Sequence, residues 1–288
     1  MLRSLSSGVS GIQAFQEEMD VISNNIANVN TTGFKSSRVD FADAFSETLR
    51  GSSGASGLSS DTPAMQIGAG VTTSGVTGNY SSGNLASTGF STDMAVDGEG
   101  FFMVRDPVTS VQFATRAGDF RLDSNGFLTT NAGLRVQGYS DSGLSVPGDI
   151  QIDGTGRPAS FDPTATYASW SINTQGVINV RLSDGSEYAR GQILLQRFTD
   201  PQALMKEGMN LYSGIGAAGP LGGASAPAPA APESNGLGKI QSHALEASNV
   251  DLANEFANMI TAQRAFQANA KIVTTSDEML QELVNLKR

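Results

Sequence analysis

Apolar residues recur every seven positions near both ends of the chain, whereas the middle lacks this repeat. A seven-residue repeat predicts a helix that buries a narrow stripe of side chains against another helix. The first predicted helix covers residues 2–29, and the second starts near Ser248 and Asn249, both good N-cap residues. The apolar stripes consist of Leu5, Val9, Ile12, Met19, Ile22, Ile26 and Val29, and of Leu252, Phe256, Met259, Phe266, Val273 and Leu280. We therefore expect the terminal segments 1–30 and 243–288 to pair as a coiled-coil stalk, with these residues as an assembly interface.

The middle of the chain, from about Gln66 to Tyr212, consists of short apolar runs separated by turn residues. Tight turns are predicted at Asp123–Gly126 and Asn173–Gly176, because Asn and Gly supply the positive φ angles that hairpins need. Runs at this spacing predict antiparallel hairpins. The expected fold class is therefore α+β, with paired terminal helices and a central all-β domain.

Shifts in composition predict where the domains end. We expect segment 31–72 to be an extended connector, within which the Ser/Gly-rich stretch 51–60 forms a loop. Segment 73–213 is predicted to be the β-rich domain. Segment 214–242, rich in Gly, Ala and Pro, is predicted to be a linker.

The composition excludes several functional classes. A net charge of −10 argues against binding to nucleic acid or to an acidic membrane surface, since both are anionic. The absence of cysteine removes disulfides, thiolate metal sites and cysteine nucleophiles. No apolar run approaches the length of a membrane span, and the start of the chain does not resemble a cleavable signal peptide.

Candidates for catalysis are few. His243 is the only histidine, so a Ser-His-Asp arrangement would have to use it, and a polar residue at the approach to a helix is the simpler interpretation. The turn Asp123–Gly126 resembles a calcium loop but lacks the distal glutamate. We expect no catalytic residues, no cofactor and no metal. Two rival classes stay open, a glycan-binding or glycan-cleaving β protein and a surface-binding module, and self-assembly into tubes would separate them from an assembly subunit.

Two long motifs flank the β-rich middle. The stretch Met19–Lys35 closely resembles the N-terminal signature of the bacterial flagellar rod and hook protein family, and Ala244–Leu252 resembles its C-terminal signature. Stretches between them, such as Thr115–Phe120, resemble the same family, so the resemblance covers nearly the whole chain. The signature positions are Asn24, Asn25, Asn28, Gly33, Phe34, Lys35, Ser248, Asn249 and Val250.

The resemblance implies an axial subunit of the flagellum that stacks with itself into a helical tube. It implies terminal helices on the inner wall and a β domain that faces outward. It also implies location in the hook or basal body and export through the flagellar type III apparatus without a cleaved signal. The implied partners are further copies of the chain, the adjoining rod and hook–filament junction proteins, the hook cap and the export apparatus.

The stretches Ala244–Leu252, Arg135–Tyr139 and Gln192–Phe198 resemble the hook protein more than the rod proteins. The length is nearer to that of the distal rod protein, since hook proteins of this family carry an additional outer β domain. We therefore expect a short hook subunit, part of the flexible joint that transmits torque from rod to filament. A subunit of the distal rod, the drive shaft of the basal body, is the alternative.

Overall fold

The described chain forms two compact units. The computed structural model describes residues 2–52, 54, 62–153, 165–221 and 228–286, so most of the Ser/Gly-rich stretch 51–60 lies outside the described residues. The first unit comprises Met1–Ala27, Ser36–Asn79 and Val250–Arg288, and the second comprises Asn28–Lys35 and Tyr80–Asn249. Terminal helices with a central antiparallel β domain confirm the predicted α+β class.

The first unit contains both helices and four strands. Its elements are α1 (Leu2–Ala27), β1 (Ser37–Asp43), β2 (Ser46–Arg50), β3 (Met65–Gly68), β4 (Val71–Gly78) and α2 (Leu252–Leu286). β1 pairs antiparallel with β4, and β2 with β3. Along β4, less exposed and exposed residues alternate, as expected for a strand with one covered face. The β1–β4 pair lies against α1, where the rings of Phe15 of α1 and Phe41 of β1 are 5.7 Å apart.

Both helices are shorter than predicted. α1 ends at Ala27, so Val29 lies outside the helix. α2 begins after Asp251, whose carboxylate accepts hydrogen bonds from the backbone N–H groups of Ala253 at 2.9 Å and Asn254 at 3.4 Å. Asp251 is therefore the N-cap, a few residues later than predicted, because a carboxylate at this position satisfies the free N–H groups and favours the helix dipole.

The second unit is built from short antiparallel strands. They are β5 (Leu85–Ser87), β6 (Met94–Asp97), β7 (Phe101–Arg105), β8 (Gln112–Thr115), β9 (Arg121–Leu122), β10 (Leu128–Thr129), β11 (Arg135–Tyr139), β12 (Pro147–Asp149), β13 (Tyr167–Ile172), β14 (Val177–Leu182), β15 (Glu187–Ile193), β16 (Leu195–Gln196), β17 (Met205–Gly208), β18 (Leu211–Ser213), β19 (Lys239–Ser242) and β20 (Ala244–Glu246). A 12-stranded sheet follows the order β13-β14-β15-β11-β7-β8-β18-β17, joined by β9, β10, β12 and β16. A short 3-10 helix, Pro201–Ala203, precedes β17. β6 pairs with β19, and β5 with β20.

The core of the second unit lies on both faces of β7. Phe102 and Val104 point into a large apolar cluster that includes Ile193, whereas Phe101 and Met103 point into a second cluster. This arrangement explains why β7 is apolar at consecutive positions, since both of its faces are buried. Among the described residues, the buried apolar clusters lie in the second unit.

The predicted turns are confirmed. The N–H of Gly126 donates to the carbonyl oxygen of Asp123 at 2.9 Å, and that of Gly176 to the carbonyl of Asn173 at 3.0 Å. Paired strands lie within the predicted extended connector and within the predicted linker. β1, β2 and β3 fall within 31–72, and β19 falls within 214–242. Composition alone did not reveal β1 and β19, because they take their hydrogen bonds from β4 and β6, partners distant in sequence.

Candidate functional site

The two helices of the first unit run antiparallel. The hydroxyls of Ser4 and Ser276 lie 3.4 Å apart, near the start of α1 and towards the end of α2. Towards the other end of the pair, the side-chain amide of Asn25 donates to Glu255 Oε1 at 3.2 Å. Any Cβ on Gly11 would lie 2.8 Å from the amide nitrogen of Asn269, which fixes the register in between.

Small and polar residues form much of the seam between the helices. A Cβ on Gly8 would lie 3.1 Å from a methyl of Val273, so the absence of side chains at Gly8 and Gly11 lets the helices approach closely. On α2, Ala262 and Ser276 are the buried residues. Close helix approach through small residues depends on van der Waals contact and buries little apolar area. The seam between the two helices of one chain therefore buries little apolar area where these glycines lie.

The structure places the predicted stripe residues in three groups. On α1, Ile22 is buried. On α2, the face that contains Ala262 and Ser276 also carries four half-buried stripe residues, Met259, Phe266, Val273 and Leu280. Leu5, Ile12, Met19 and Ile26 are half-buried on the flank of α1, one position beyond Ser4, Gly11 and Asn25. Val9 is 41% exposed, Leu252 39% and Phe256 50%. These three do not belong to the seam within one chain, and their role in assembly stays a prediction.

The signature residue Asn25 joins three elements of the first unit. It is 2% exposed, and its amide nitrogen donates to the carbonyl oxygen of Ser37 at 2.8 Å. Its oxygen accepts the N–H of Ser37 at 3.0 Å, and its amide also reaches Glu255. Burial raises the pKa of the Glu255 carboxyl, an effect that the hydrogen bond from Asn25 partly opposes. Asn25 therefore fixes the end of α1 against the start of β1 and the first turn of α2.

In the second unit, Gly33 allows the N-terminal signature loop to touch the β body. Its φ is +67°, and a Cβ here would lie 2.6 Å from the backbone nitrogen of Ala117. The N–H of Gly33 donates to the carbonyl oxygen of Glu246 at 2.8 Å. Only glycine satisfies both the left-handed backbone and this approach. The two signatures of the chain, far apart in sequence, thus meet at Gly33 and Glu246.

A buried ion cluster lies directly beside this contact. The ammonium of Lys35 donates to Glu246 Oε1 at 2.5 Å and to the carbonyl of Ser81 at 2.7 Å. Arg116 reaches the other carboxylate oxygen of Glu246 at 3.3 Å, and the N–H of Gly83 donates to Oε1 at 2.8 Å. The side chains of the three charged residues are almost fully buried. Burial lowers the pKa of Lys35, and the adjacent Glu246 carboxylate opposes that effect.

The cluster gathers the places where the chain enters and leaves the second unit. Three of these limits are Lys35, Tyr80 and Asn249. The side-chain amide of Asn249 donates to the carbonyl of Ser81 at 3.3 Å, and its backbone N–H donates to the carbonyl of Phe34 at 3.4 Å. These limits are thus tied together by polar bonds that the unit itself supplies.

The remaining signature positions take local roles. Asn28 accepts a hydrogen bond from the hydroxyl of Thr31 at 3.0 Å, and Phe34 is buried beneath the ammonium of Lys206, 5.0 Å from the ring centre. Asn24 is exposed on α1, whereas Ser248 and Val250 are half-buried before α2.

Sequence reasoning missed Glu246 and Arg116 as members of a site. The available signal was a single charge inside an otherwise apolar or small run, as in Ala244–Ala247 and Phe113–Ala117. Such a charge is rarely buried without a partner. The partner's identity was not readable, because Lys35 and Glu246 are separated by most of the chain.

The rival chemistries gain no support from the described residues. His243 is exposed, and its backbone N–H and C=O bond to Asp93 and Thr88 at 2.9 and 2.7 Å. Within the described ranges, no group of three or more His, Asp or Glu side chains is placed to hold a metal ion. Neither α1 nor α2, as far as they are described, is long and apolar enough to cross a membrane.

Comparison with known proteins shows what the chain is similar to. Residues 5–35 match the family described as flagella basal body rod protein, residues 95–180 the flagellar hook protein FlgE/F/G D1 domain, and residues 241–286 the flagellar basal body rod FlgEFG protein C-terminal family. The flagellar basal-body rod protein FlgG of Bacillus subtilis is 42% identical over 100% of both chains. FlgG of Buchnera aphidicola subsp. Schizaphis graminum is 36% identical over 99% of this chain and 100% of the relative. The hook protein FlgE of Helicobacter mustelae is 46% identical, over 50% of this chain and 32% of the relative.

Proposed function

The chain belongs to the family of flagellar rod and hook proteins, and we propose that within it the chain is a subunit of the distal rod. In this role it would polymerise with itself into part of the drive shaft of the basal body. The terminal helices would supply contacts between copies, and the β-rich unit would supply a stiff body. The role is structural, with no reaction assigned.

The match along the full length carries the rod assignment. Rod relatives align over essentially their whole length and over the whole of this chain. The hook relative aligns over 146 residues, which is 32% of its own length. The expectation of a short hook subunit therefore gives way to the rod alternative. Two of the motifs that suggested a hook, Ala244–Leu252 and Arg135–Tyr139, lie in family models that cover FlgE and FlgG alike, so they do not discriminate between the two.

The packing of the second unit suits a shaft better than a flexible joint. A shaft must resist twisting, so loads must enter each subunit through segments that do not slip. Lys35, Glu246 and Arg116 tie such segments together by buried, charge-assisted hydrogen bonds. Separating these ions would expose an unpaired buried charge, which opposes deformation.

The assignment also implies a set of partners. We propose that the chain contacts further copies of itself, adjoining rod proteins and the hook base. We propose that it reaches the rod through the flagellar export apparatus without a cleaved signal. The Gln- and Asn-rich faces of α1 and α2, including Gln13, Gln16, Gln263 and Gln267, are exposed in one chain and are available for polar contacts in an assembly.

Electron microscopy of basal bodies from a strain that lacks this gene tests the proposal. We expect a rod that stops short of its distal part, with no hook, and full-length rods when the gene is restored. A complete rod without a hook would instead make the chain a hook subunit. Intact flagella in the deletion strain would remove both assignments.

A further inference from the structure

The middle parts of the two helices carry opposite charges. Between residues 4 and 27, α1 contains Glu17, Glu18 and Asp20 and no basic residue. Between residues 256 and 276, α2 contains Arg264 and Lys271 and no acidic residue. Among the described residues, no ion pair joins these two groups. The opposite charges therefore form no ion pair with each other within one chain, although the helices are paired, and Glu17 accepts a hydrogen bond from the hydroxyl of Thr73.

The reason is the direction in which these side chains point. Arg264 lies two residues from both Ala262 and Phe266, so it points about 200° away from the seam. Lys271 lies seven residues further on and therefore on the same face of α2. Asp20 lies two residues from Ile22 and from Glu18, which places it on the face of α1 away from α2. Asp20, Arg264 and Lys271 are all exposed.

The acidic residues of α1 and the basic residues of α2 lie at similar heights along the helix pair. Gly11 lies opposite Asn269, and Asn25 lies opposite Glu255. In this register Asp20 and Arg264 differ in height by about one helical turn, roughly 6 Å. Side chains of arginine and lysine span such an offset. Two helix pairs placed side by side could therefore bring the basic face of one against the acidic face of the next.

We propose that the Arg264–Lys271 face of α2 docks on the Glu17–Asp20 turn of α1 in a second copy of this chain. The occupant follows from charge complementarity, since each face is exposed and each carries the opposite charge of the other. The contact is heterologous, so it propagates from copy to copy as a polymer requires. The proposal rests on the proposed self-assembly and adds which surfaces meet.

Glu18 does not belong to this contact. It is half-buried on the seam side of α1, on the opposite face from Asp20, and burial raises the pKa of its carboxyl. The contact is electrostatic and exposed, so it sets register and is sensitive to salt.

A charge exchange tests the contact. Arg264→Glu and Asp20→Arg are each expressed in the deletion strain and purified as full chains. We expect each single variant to raise the concentration at which the chain polymerises by roughly three- to tenfold. The double variant, which restores opposite charges with reversed sign, should recover most of the loss. Arg121→Glu, an exposed charge in the second unit, is the control that should assemble normally.

Three results would overturn the inference. They are normal assembly of both single variants, a double variant no better than the worse single variant, and a wild-type chain whose polymerisation does not weaken as salt is raised. Circular dichroism and secretion of each variant show whether a loss of polymerisation reflects misfolding or failed export. Recovery of polymerisation by the double variant excludes both explanations. Failure here leaves the rod assignment standing if deletion of the gene still shortens the rod. A complete rod in the deletion strain refutes the rod assignment, whereas the result of the charge exchange between Arg264 and Asp20 is independent of it.

Discussion

The helix pair and the β-rich unit differ in how completely one chain buries their side chains. In the β-rich unit, side chains such as Phe102, Val104 and Leu195 are fully buried, and even the charges of Lys35 and Glu246 are enclosed and paired. In the helix pair, two glycines lie at the contact and large apolar residues such as Phe256 and Ile260 remain exposed. The β-rich unit is complete within one chain. The helix pair leaves large apolar residues exposed, and in the proposed polymer neighbouring copies would cover them.

This difference predicts where each kind of mutation acts. Changes in the β-rich unit should lower the stability of the isolated chain. Changes in the helix pair should leave the isolated β-rich unit folded and stop or weaken assembly. If a change in the helix pair unfolded the β-rich unit, or a change in the β-rich unit stopped assembly without lowering stability, the two regions would not be energetically distinct.

The largest effect is expected for Glu246→Ala. Removing the carboxylate leaves the buried cations of Lys35 and Arg116 without their anion, which costs about 3–5 kcal/mol of stability. Denaturant unfolding followed by the fluorescence of Trp170 measures the loss. Glu187→Ala removes an exposed partner of Arg181 and should cost less than about 1 kcal/mol. Equal stabilities for the two variants would show that the buried ion cluster does not stabilise the β-rich unit.

The next largest effect is expected for Phe266→Asp. Phe266 is half-buried on the seam face of α2, so a carboxylate there would weaken helix pairing by about 2–3 kcal/mol. We expect no polymer and no motility, with the unfolding of the β-rich unit unchanged. Met259→Asp should behave alike, whereas Gln267→Asp, on an exposed neighbouring position, should assemble. Normal motility of the Phe266 variant would refute the seam assignment.

A smaller effect is expected for Gly11→Leu. The introduced side chain would meet Asn269 and push the helices apart, and the gain in helix propensity offsets part of the cost. The net loss should be about 1–2 kcal/mol of helix pairing. Ser6→Leu adds the same side chain on an exposed position of α1 and is the matched control. Sedimentation of the purified chains would measure assembly. Equal assembly of both variants would mean that close approach at Gly11 is not needed.

The role of Gly11 shows what the sequence can and cannot reveal. The heptad repeat correctly predicted two helices. Met259, Phe266 and Val273 lie half-buried along one face of α2, and their role in assembly stays a prediction. On α1 the same repeat led to Leu5, Ile12, Met19 and Ile26, which lie one position beyond the contact. Large apolar residues dominate a periodicity analysis, whereas on α1 glycine, serine and asparagine make much of the contact. That side of the seam therefore gives little hydrophobic signal to detect.

The ion cluster was hidden for a different reason. Its members are separated by most of the chain, and pairing of distant charges depends on the topology of the sheet. The turns at Asp123–Gly126 and Asn173–Gly176 were predictable because their chemistry is local. The strands β1 and β19 were missed because their partners, β4 and β6, are distant in sequence. Local chemistry and the pairing of the two periodic helices were readable, whereas the partners of single strands and of single buried charges were not.

The smallest effect concerns pH and the two carboxyls near the seam. Burial raises the pKa values of Glu18 and Glu255, so between the ordinary and the raised pKa the folded chain binds more protons than the unfolded chain. The stabilising contribution of these carboxyls to the helix pair should therefore be fully present below the ordinary carboxyl pKa and be lost as pH rises through the raised values. Thermal melting of the helical circular dichroism signal measures this. Glu18→Gln should weaken the pH dependence, whereas Glu278→Gln, an exposed carboxyl on α2, should retain it. A Glu18 variant with the wild-type pH dependence would show that this carboxyl is not held away from water, and the helix pair would then be looser than its geometry indicates.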